Sequence, residues 1–329
     1  MDIFVLSKYS SIAKENETFC IKNKDTKQIV SPLKVDSILI SQKCSISTDA
    51  ILLASDYDID IIVLNDYGDP VGRFWHCKFG STANIRKAQL ILFSEKIGLE
   101  IAKEIITDKI NTSANHLKRL AFKRREEFEK INNCIKGLEF YKNKINQLTN
   151  NDDITKAKLR AYEGNAGRIY YSKVSSLLPE EYKFKSRTTK NANDPYNALL
   201  NYGFGILYSK VEKSCIIAGL DPYIGILHTD NYGKKSLVYD MIERHRHLAW
   251  ETVFSLFSRK LVNQSHFTKE KDGIKLSKEG KALIANSLGE KLIKKTKYKD
   301  RMVQNKNVLD FRCQELSSRL IDLMSSREV

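Results

Sequence analysis

The hydrophobic pattern of this chain changes period once, and that change limits the folds open to it. Up to about residue 75 the apolar residues come in short β-branched runs, Met1–Leu6, Thr18–Ile21, Gln28–Ser31, Ser37–Ile40 and Ile61–Leu64, separated by polar turns. One helical interruption is expected over Thr48–Ser55, with Ser47 or Thr48 as its cap. Asp66-Tyr67-Gly68-Asp69 reads as a turn. From Ala83 onward Ile91, Leu92, Ile97, Ile101 and Ile105 fall three to four apart among Lys and Glu, a helical stripe. The pattern predicts an α+β chain: a β-rich domain over 1–80 and a larger all-α domain over 81–329, joined by a short connection near Lys78–Ser81.

Several classes are disfavoured. No apolar run approaches the ~20 residues that span a bilayer, and Met1–Tyr9 lacks a basic start and a long apolar core. The six cysteines are scattered without a Cys-x-x-Cys pair, which argues against a zinc cluster and for free thiols in a reducing cytoplasm. Lys and Arg outnumber Asp and Glu by 55 to 40, a formal charge of +15. Such an excess favours a polyanionic partner, nucleic acid first, although a lysine-rich proteome leaves the same mark.

Chemistry-bearing residues concentrate in the helical part. Asn115–Asn146 is strongly charged with an apolar side and reads as helix. Lys156–Tyr171 is a helical stretch carrying Glu163 and Arg168, loosened by Gly164 and Gly167. Each glycine costs ~1 kcal/mol relative to alanine in a helix interior, so close approach of a backbone or ligand is expected there. Residues 179–194 are loop-like and basic, with Lys183, Lys185 and Arg187. Asn193-Asp194-Pro195 is a helix start. The richest stretch is Ala218–Glu243: a turn at Gly219–Pro222, an apolar segment ending in His228, a polar loop, and a helix from Ser236 carrying Asp240 and Glu243. Carboxylates three apart on a helix share a side, and with an imidazole nearby they compose a site for Mg²⁺ or Mn²⁺. The same residues taken alone also read as a buried histidine beside a solvated helix face. His245-x-His247 is a poor zinc pair, because residues two apart diverge on a helix and no cysteine accompanies them. Further helices include the basic run from Lys291 through Lys294 and Lys295 to Arg301, then Val308–Met324.

Three blocks in order resemble the CRISPR-associated adaptation integrase, the Cas-one family. Glu163-Gly164-x-Ala166-x-Arg168-x-Tyr170 is similar to the family's E-G-x-A-A-R-x-Y motif. Asn193-Asp194-Pro195-x-Asn197-Ala198-Leu199-Leu200 is close to its D-P-x-N-A-L-L signature. The third block runs from Ala218-Gly219-Leu220-Asp221-Pro222 through His228 to Asp240 and Glu243. The β-rich start and the Arg86/Gln89 pair agree, so the likeness covers essentially the whole chain. Gly167 replaces the second alanine, Arg244-His245-Arg246-His247 stands where the family commonly has Pro-x-Arg-Pro, and Trp250 occupies an often acidic position.

The resemblance implies that Glu163, His228 and Glu243 ligate a divalent metal, with Asp240 as an accessory acid. It implies a metal-dependent DNA endonuclease and integrase that inserts protospacer DNA into a CRISPR repeat by 3′-hydroxyl transesterification. It further implies a cytoplasmic prokaryotic protein whose β domain supports a homodimer, two dimers flanking a Cas-two dimer as a hetero-hexamer on double-stranded DNA. Arg168, Lys183, Lys185, Arg187, Arg244, Arg246, Lys294 and Lys295 are the expected DNA contacts. A branched-DNA repair nuclease and a catalytically inactive DNA-binding scaffold of the same fold are the alternatives.

Overall fold

A computed structural model describes residues 2–41, 43–65, 70–74, 83–150, 152–228, 232–271 and 273–327. The turn expected at Asp66–Asp69, the boundary near Lys78–Ser81, Cys77 and residues 229–231 of the loop after His228 lie outside the described residues.

Strands come first, as the β-branched runs require. They are β1 (Asp2–Val5), β2 (Ser11–Glu15), β3 (Thr18–Lys22), β4 (Lys27–Val30), β5 (Ser37–Ile40) and β6 (Ser45–Ile46). Helix α1 (Thr48–Asp56) follows, capped by Ser47, whose hydroxyl accepts from the Ala50 amide at 3.2 Å. Strands β7 (Asp60–Leu64) and β8 (Pro70–Phe74) complete the region. Among the described residues these strands form two four-stranded sheets, in the orders β1-β5-β7-β8 and β4-β3-β2-β6. Ile3, Ile12, Phe19, Ile38, Leu53 and Ile61 fill the core beneath them.

The helices are α2 (Ala83–Ser94), α3 (Lys96–Lys123), α4 (Phe128–Asn146), α5 (Asp153–Ser176), α6 (Pro195–Ile217), α7 (Ser236–Ile242), α8 (Arg246–Ser258), α9 (Lys278–Ile293) and α10 (Asn305–Ser325). The charged stretch expected as one helix over Asn115–Asn146 is broken. Arg124 adopts φ −134°, ψ 78° and ends α3, so α4 returns antiparallel beside it. The second region is also not purely helical. Hairpins β9–β10 (Phe267–Glu270, Gly273–Leu276) and β11–β12 (Lys295–Tyr298, Arg301–Gln304) interrupt it. The second hairpin takes over the basic run from Lys295, where the strand Lys-Thr-Lys-Tyr lacks the apolar stripe a packed helix needs, while Lys291 stays in α9.

Helix α6 lies at the centre, packed by α7, α8, α9 and α10. Its start is the one expected: the Asp194 side chain accepts from the Asn197 amide at 2.7 Å, and Pro195 occupies the first turn, where no amide is needed. Its exit uses Gly219 at φ +76°, a conformation glycine adopts without a Cβ clash, so the chain turns sharply into the segment leading to His228. Arg73 of β8 ties the strand region to this helix, donating to the Ser209 carbonyl at 2.6 Å and pairing with Asp60 at 3.2 Å.

Candidate metal centre

Helices α3, α5 and α7 bring two of the expected acids together around an unexpected cation. Glu163 projects from α5 and Glu243 stands just past the end of α7. Between them lies the ammonium of Lys109, from the middle of α3, bonded to Glu163 Oε1 and 2.6 Å from Glu243 Oε2. The other oxygen of Glu243 accepts from Arg246 Nε at 2.8 Å. Arg246 also donates to the Tyr208 hydroxyl at 3.2 Å and lies over the Phe204 ring at 4.5 Å. Burial pushes the Glu243 carboxyl up, but Arg246 and Lys109 outweigh it and hold the group at about 2. Burial opposes the charge on Lys109 as well. The two carboxylates overcome it and raise its pKa above the ordinary lysine value.

His228 is held separately, by Asp240. That carboxylate is buried and accepts from the amides of Ile226 (2.6 Å), Leu227 (3.2 Å) and His228 (3.2 Å), and from the His228 Nδ1 at 2.6 Å. Four donors on one carboxylate use its accepting capacity. Asp240 and Glu243 therefore part company although only three residues separate them. Asp240 shapes the loop before His228, and Glu243 faces α3. An acceptor-only carboxylate at Nδ1 places the imidazole proton there and leaves the Nε2 lone pair for a ligand, the usual arrangement behind a metal-bound histidine.

The loop is braced from two other sides. Gln89 of α2, fully buried, donates to the carbonyls of Asp221 and Ile224 and accepts from the Asp221 amide, each at 2.9 Å. Arg160, one turn before Glu163, donates to the Leu227 carbonyl at 3.2 Å. Rings complete the link: His228 lies 5.8 Å from Tyr239, and Tyr239 lies 4.8 Å from Tyr208, which bonds Arg246.

As placed, no three His, Cys, Asp or Glu side chains among the described residues stand close enough to hold a metal ion. The acids converge on Lys109 and the imidazole turns to Asp240. The donor chemistry nonetheless fits a divalent cation, with two carboxylates already meeting at one cationic position and an imidazole held through Nδ1 by Asp240.

The remaining expected residues divide by environment. Arg168, Lys183, Lys185, Lys294 and Lys295 are exposed. Arg187 is engaged internally, donating to Asn197 at 2.9 Å and to Asn201 at 2.5 Å. Arg244 pairs with Asp108 at 3.1 Å and is mostly buried. Their guanidinium groups brace helices rather than face solvent. His245 is buried, and burial depresses its pKa. The glycines of α5 do not reflect crowding by the chain: a Cβ at Gly164 or Gly167 would meet nothing within 4 Å. The pressure on Glu163 comes from Lys109. Sequence reading passed over Lys109, although its place one turn from Ile105, Ile106 and Ser113, all buried, marks a lysine on the inward side of α3.

The family model for CRISPR associated protein Cas1 matches residues 3–290. The chain belongs to the Cas1 family. It is 31% identical over 308 residues to the CRISPR-associated endonuclease Cas1 1 of Archaeoglobus fulgidus, covering 90% of this chain and 89% of that protein. It is 34% identical over 240 residues to the CRISPR-associated endonuclease Cas1 2 of Saccharolobus solfataricus, covering 73% and 70%. Its fold is similar to that of a Cas1 protein from Thermotoga maritima, with a TM-score of 0.81 at 22% identity over 98% and 97% of the two chains. A casposase bound to its integration product gives 0.84 at 22% identity over 98% and 90%. Among the described residues no helix is long and apolar enough to cross a membrane.

Proposed function

We propose that this Cas1-family chain is a divalent-metal-dependent DNA integrase of CRISPR adaptation, joining a protospacer 3′-hydroxyl to the repeat by transesterification. The observation that carries the reading is the meeting of Glu163 and Glu243 at one cationic position, with His228, near Glu243 in sequence, oriented through its Nδ1 by Asp240. Glu163, His228 and Glu243 would hold Mg²⁺ or Mn²⁺, which when bound supplies Lewis-acid polarisation of the phosphodiester and eases deprotonation of the attacking hydroxyl.

The chain's own groups do the rest. Asp240 fixes the imidazole tautomer and the loop path, so His228 presents one nitrogen in one direction. Arg246 holds Glu243 ionised and oriented. Lys109 and Arg246 keep positive charge where a phosphate would sit, and exposed Arg168 lies on the open glycine side of α5. One phosphodiester is exchanged for another, so no nucleoside triphosphate is required.

The net charge of +15 and the exposed Lys183, Lys185, Lys294 and Lys295 suit a DNA duplex, bound with strong salt dependence. A homodimer through the strand region, paired with a Cas2 dimer, is the assembly this reading carries. A solved relative of similar fold, TM-score 0.80, is a Cas6-RT-Cas1–Cas2 complex.

The test is strand transfer: the protein, its Cas2 partner, a labelled 3′-hydroxyl duplex and a repeat-bearing supercoiled plasmid, with Mn²⁺ or EDTA. Metal-dependent joined product that falls at least about 100-fold in His228→Ala is expected. Cleavage without joining would move the protein to branched-DNA repair. Tight DNA binding without any chemistry would leave a scaffold.

A further inference from the structure

We propose that Lys109 is a tethered cation that sits between Glu163 and Glu243 in the metal-free protein and competes with the divalent ion for both carboxylates. The inference rests on the metal reading above and adds a residue to it. The ammonium touches both acids, and its side chain is only 12% exposed. The position is set by the backbone: Ile106 and Ile110 are buried on either side, and the Ser113 hydroxyl caps the Lys109 carbonyl at 2.9 Å.

Charge counting explains the competition. Glu163 and Glu243 are matched by Lys109 and Arg246, so the cluster is neutral before any metal arrives. Adding a divalent ion to that cluster leaves an excess of two positive charges around a Glu243 side chain that is 6% exposed. One resident cation must give way. Arg246 is pinned by the Tyr208 hydroxyl and the Phe204 ring. Lys109 has a flexible four-carbon stem, and its partner Glu163, 27% exposed, borders the open side of α5 at Gly164 and Gly167. Lys109 is therefore the group that moves, and its tether keeps the displaced ammonium near the two carboxylates.

The experiment is calorimetric titration of the EDTA-stripped full-length protein with MnCl₂, for wild type, Lys109→Met, Lys109→Arg and His228→Ala, alongside melting curves in EDTA and in Mn²⁺. Lys109→Met is expected to bind Mn²⁺ roughly ten-fold more tightly than wild type, since it loses a unit charge within ~4 Å of the ion. Lys109→Arg is expected to bind no more tightly than wild type. Lys109→Met is also expected to melt lower than wild type in EDTA and to recover in Mn²⁺. Should the methionine variant fail to fold, Lys109→Gln, which can still donate to both acids, carries the same expectation. If wild type binds, His228→Ala does not, and the uncharged variants bind no more tightly than wild type, the competition is overturned while the metal site stands. If neither wild type nor the uncharged variants bind Mn²⁺, the metal reading falls and the competition with it.

Discussion

Replacing Asp240 by asparagine tests the link between loop geometry and the histidine most directly. In the native chain one oxygen of Asp240 accepts from the amides of Ile226 and Leu227, and the other from the amide and ring of His228. An asparagine keeps one oxygen and turns the other position into a donor. The amide group settles toward the imidazole, because a histidine ring can exchange its tautomer and a backbone N–H cannot. Nδ1 then becomes an acceptor, the proton moves to Nε2, and the lone pair proposed for the metal is lost. The His228 amide loses its acceptor, and the Ile226 and Leu227 bonds lose their charge assistance. Hydrogen bonds to a charged group contribute about 1.5–3 kcal/mol each, so a local loss of about 3 kcal/mol follows. That corresponds to roughly a hundred-fold faster amide exchange at Ile226, Leu227 and His228. Hydrogen exchange read by NMR or mass spectrometry on the 220–228 segment measures it, and Mn²⁺ titration of the same variant reads the tautomer. Exchange within about three-fold of wild type, together with unchanged Mn²⁺ affinity, would refute the clamp.

Two further outcomes follow from buried charge. His116, bonded through Nδ1 to the Tyr170 hydroxyl at 2.7 Å, and His247 are each depressed by burial to about 4 from an ordinary value of 6.5. The unfolded chain therefore takes up more protons between those values. Stability is complete above about pH 6.5 and is lost as pH falls toward 4, by about 2 kcal/mol for each histidine at pH 5. Urea midpoints at pH 7.5 and pH 5 measure this, and equal stability at the two would rule it out. Arg73→Ala removes the ion-pair partner of buried Asp60 and the donor to the Ser209 carbonyl, leaving only Lys213 and Lys210 to offset that acid between the strand region and α6. A loss of about 3–5 kcal/mol is expected, with early proteolysis between the two regions and partial rescue by Asp60→Asn. A melting temperature equal to wild type would count against it.

Local rules operate within a few residues, and those parts of the molecule were legible beforehand. The strand runs, the Ser47 and Asp194 caps and the helix beginning at Ser236 depend on period, capping and turn chemistry alone. The nomination of Glu163, His228 and Glu243 as candidate site residues rested instead on the motif likeness. The break at Arg124 and the hairpin at Lys295–Gln304 were not legible, because charged stretches satisfy helix and strand patterns about equally and packing decides between them.

The site divides in the same way. Spacing placed Asp240 and Glu243 on one side of a helix. Only the fold assigned Asp240 to three loop amides and an imidazole, and Glu243 to a lysine and an arginine. Lys109 and Glu163 are 54 residues apart and Gln89 and Asp221 are 132 apart, beyond the reach of any local pattern. The sequence by itself determined which side chains could do chemistry. The tertiary structure decided which charges face one another, because a buried carboxylate must find its partner wherever in the chain that partner lies.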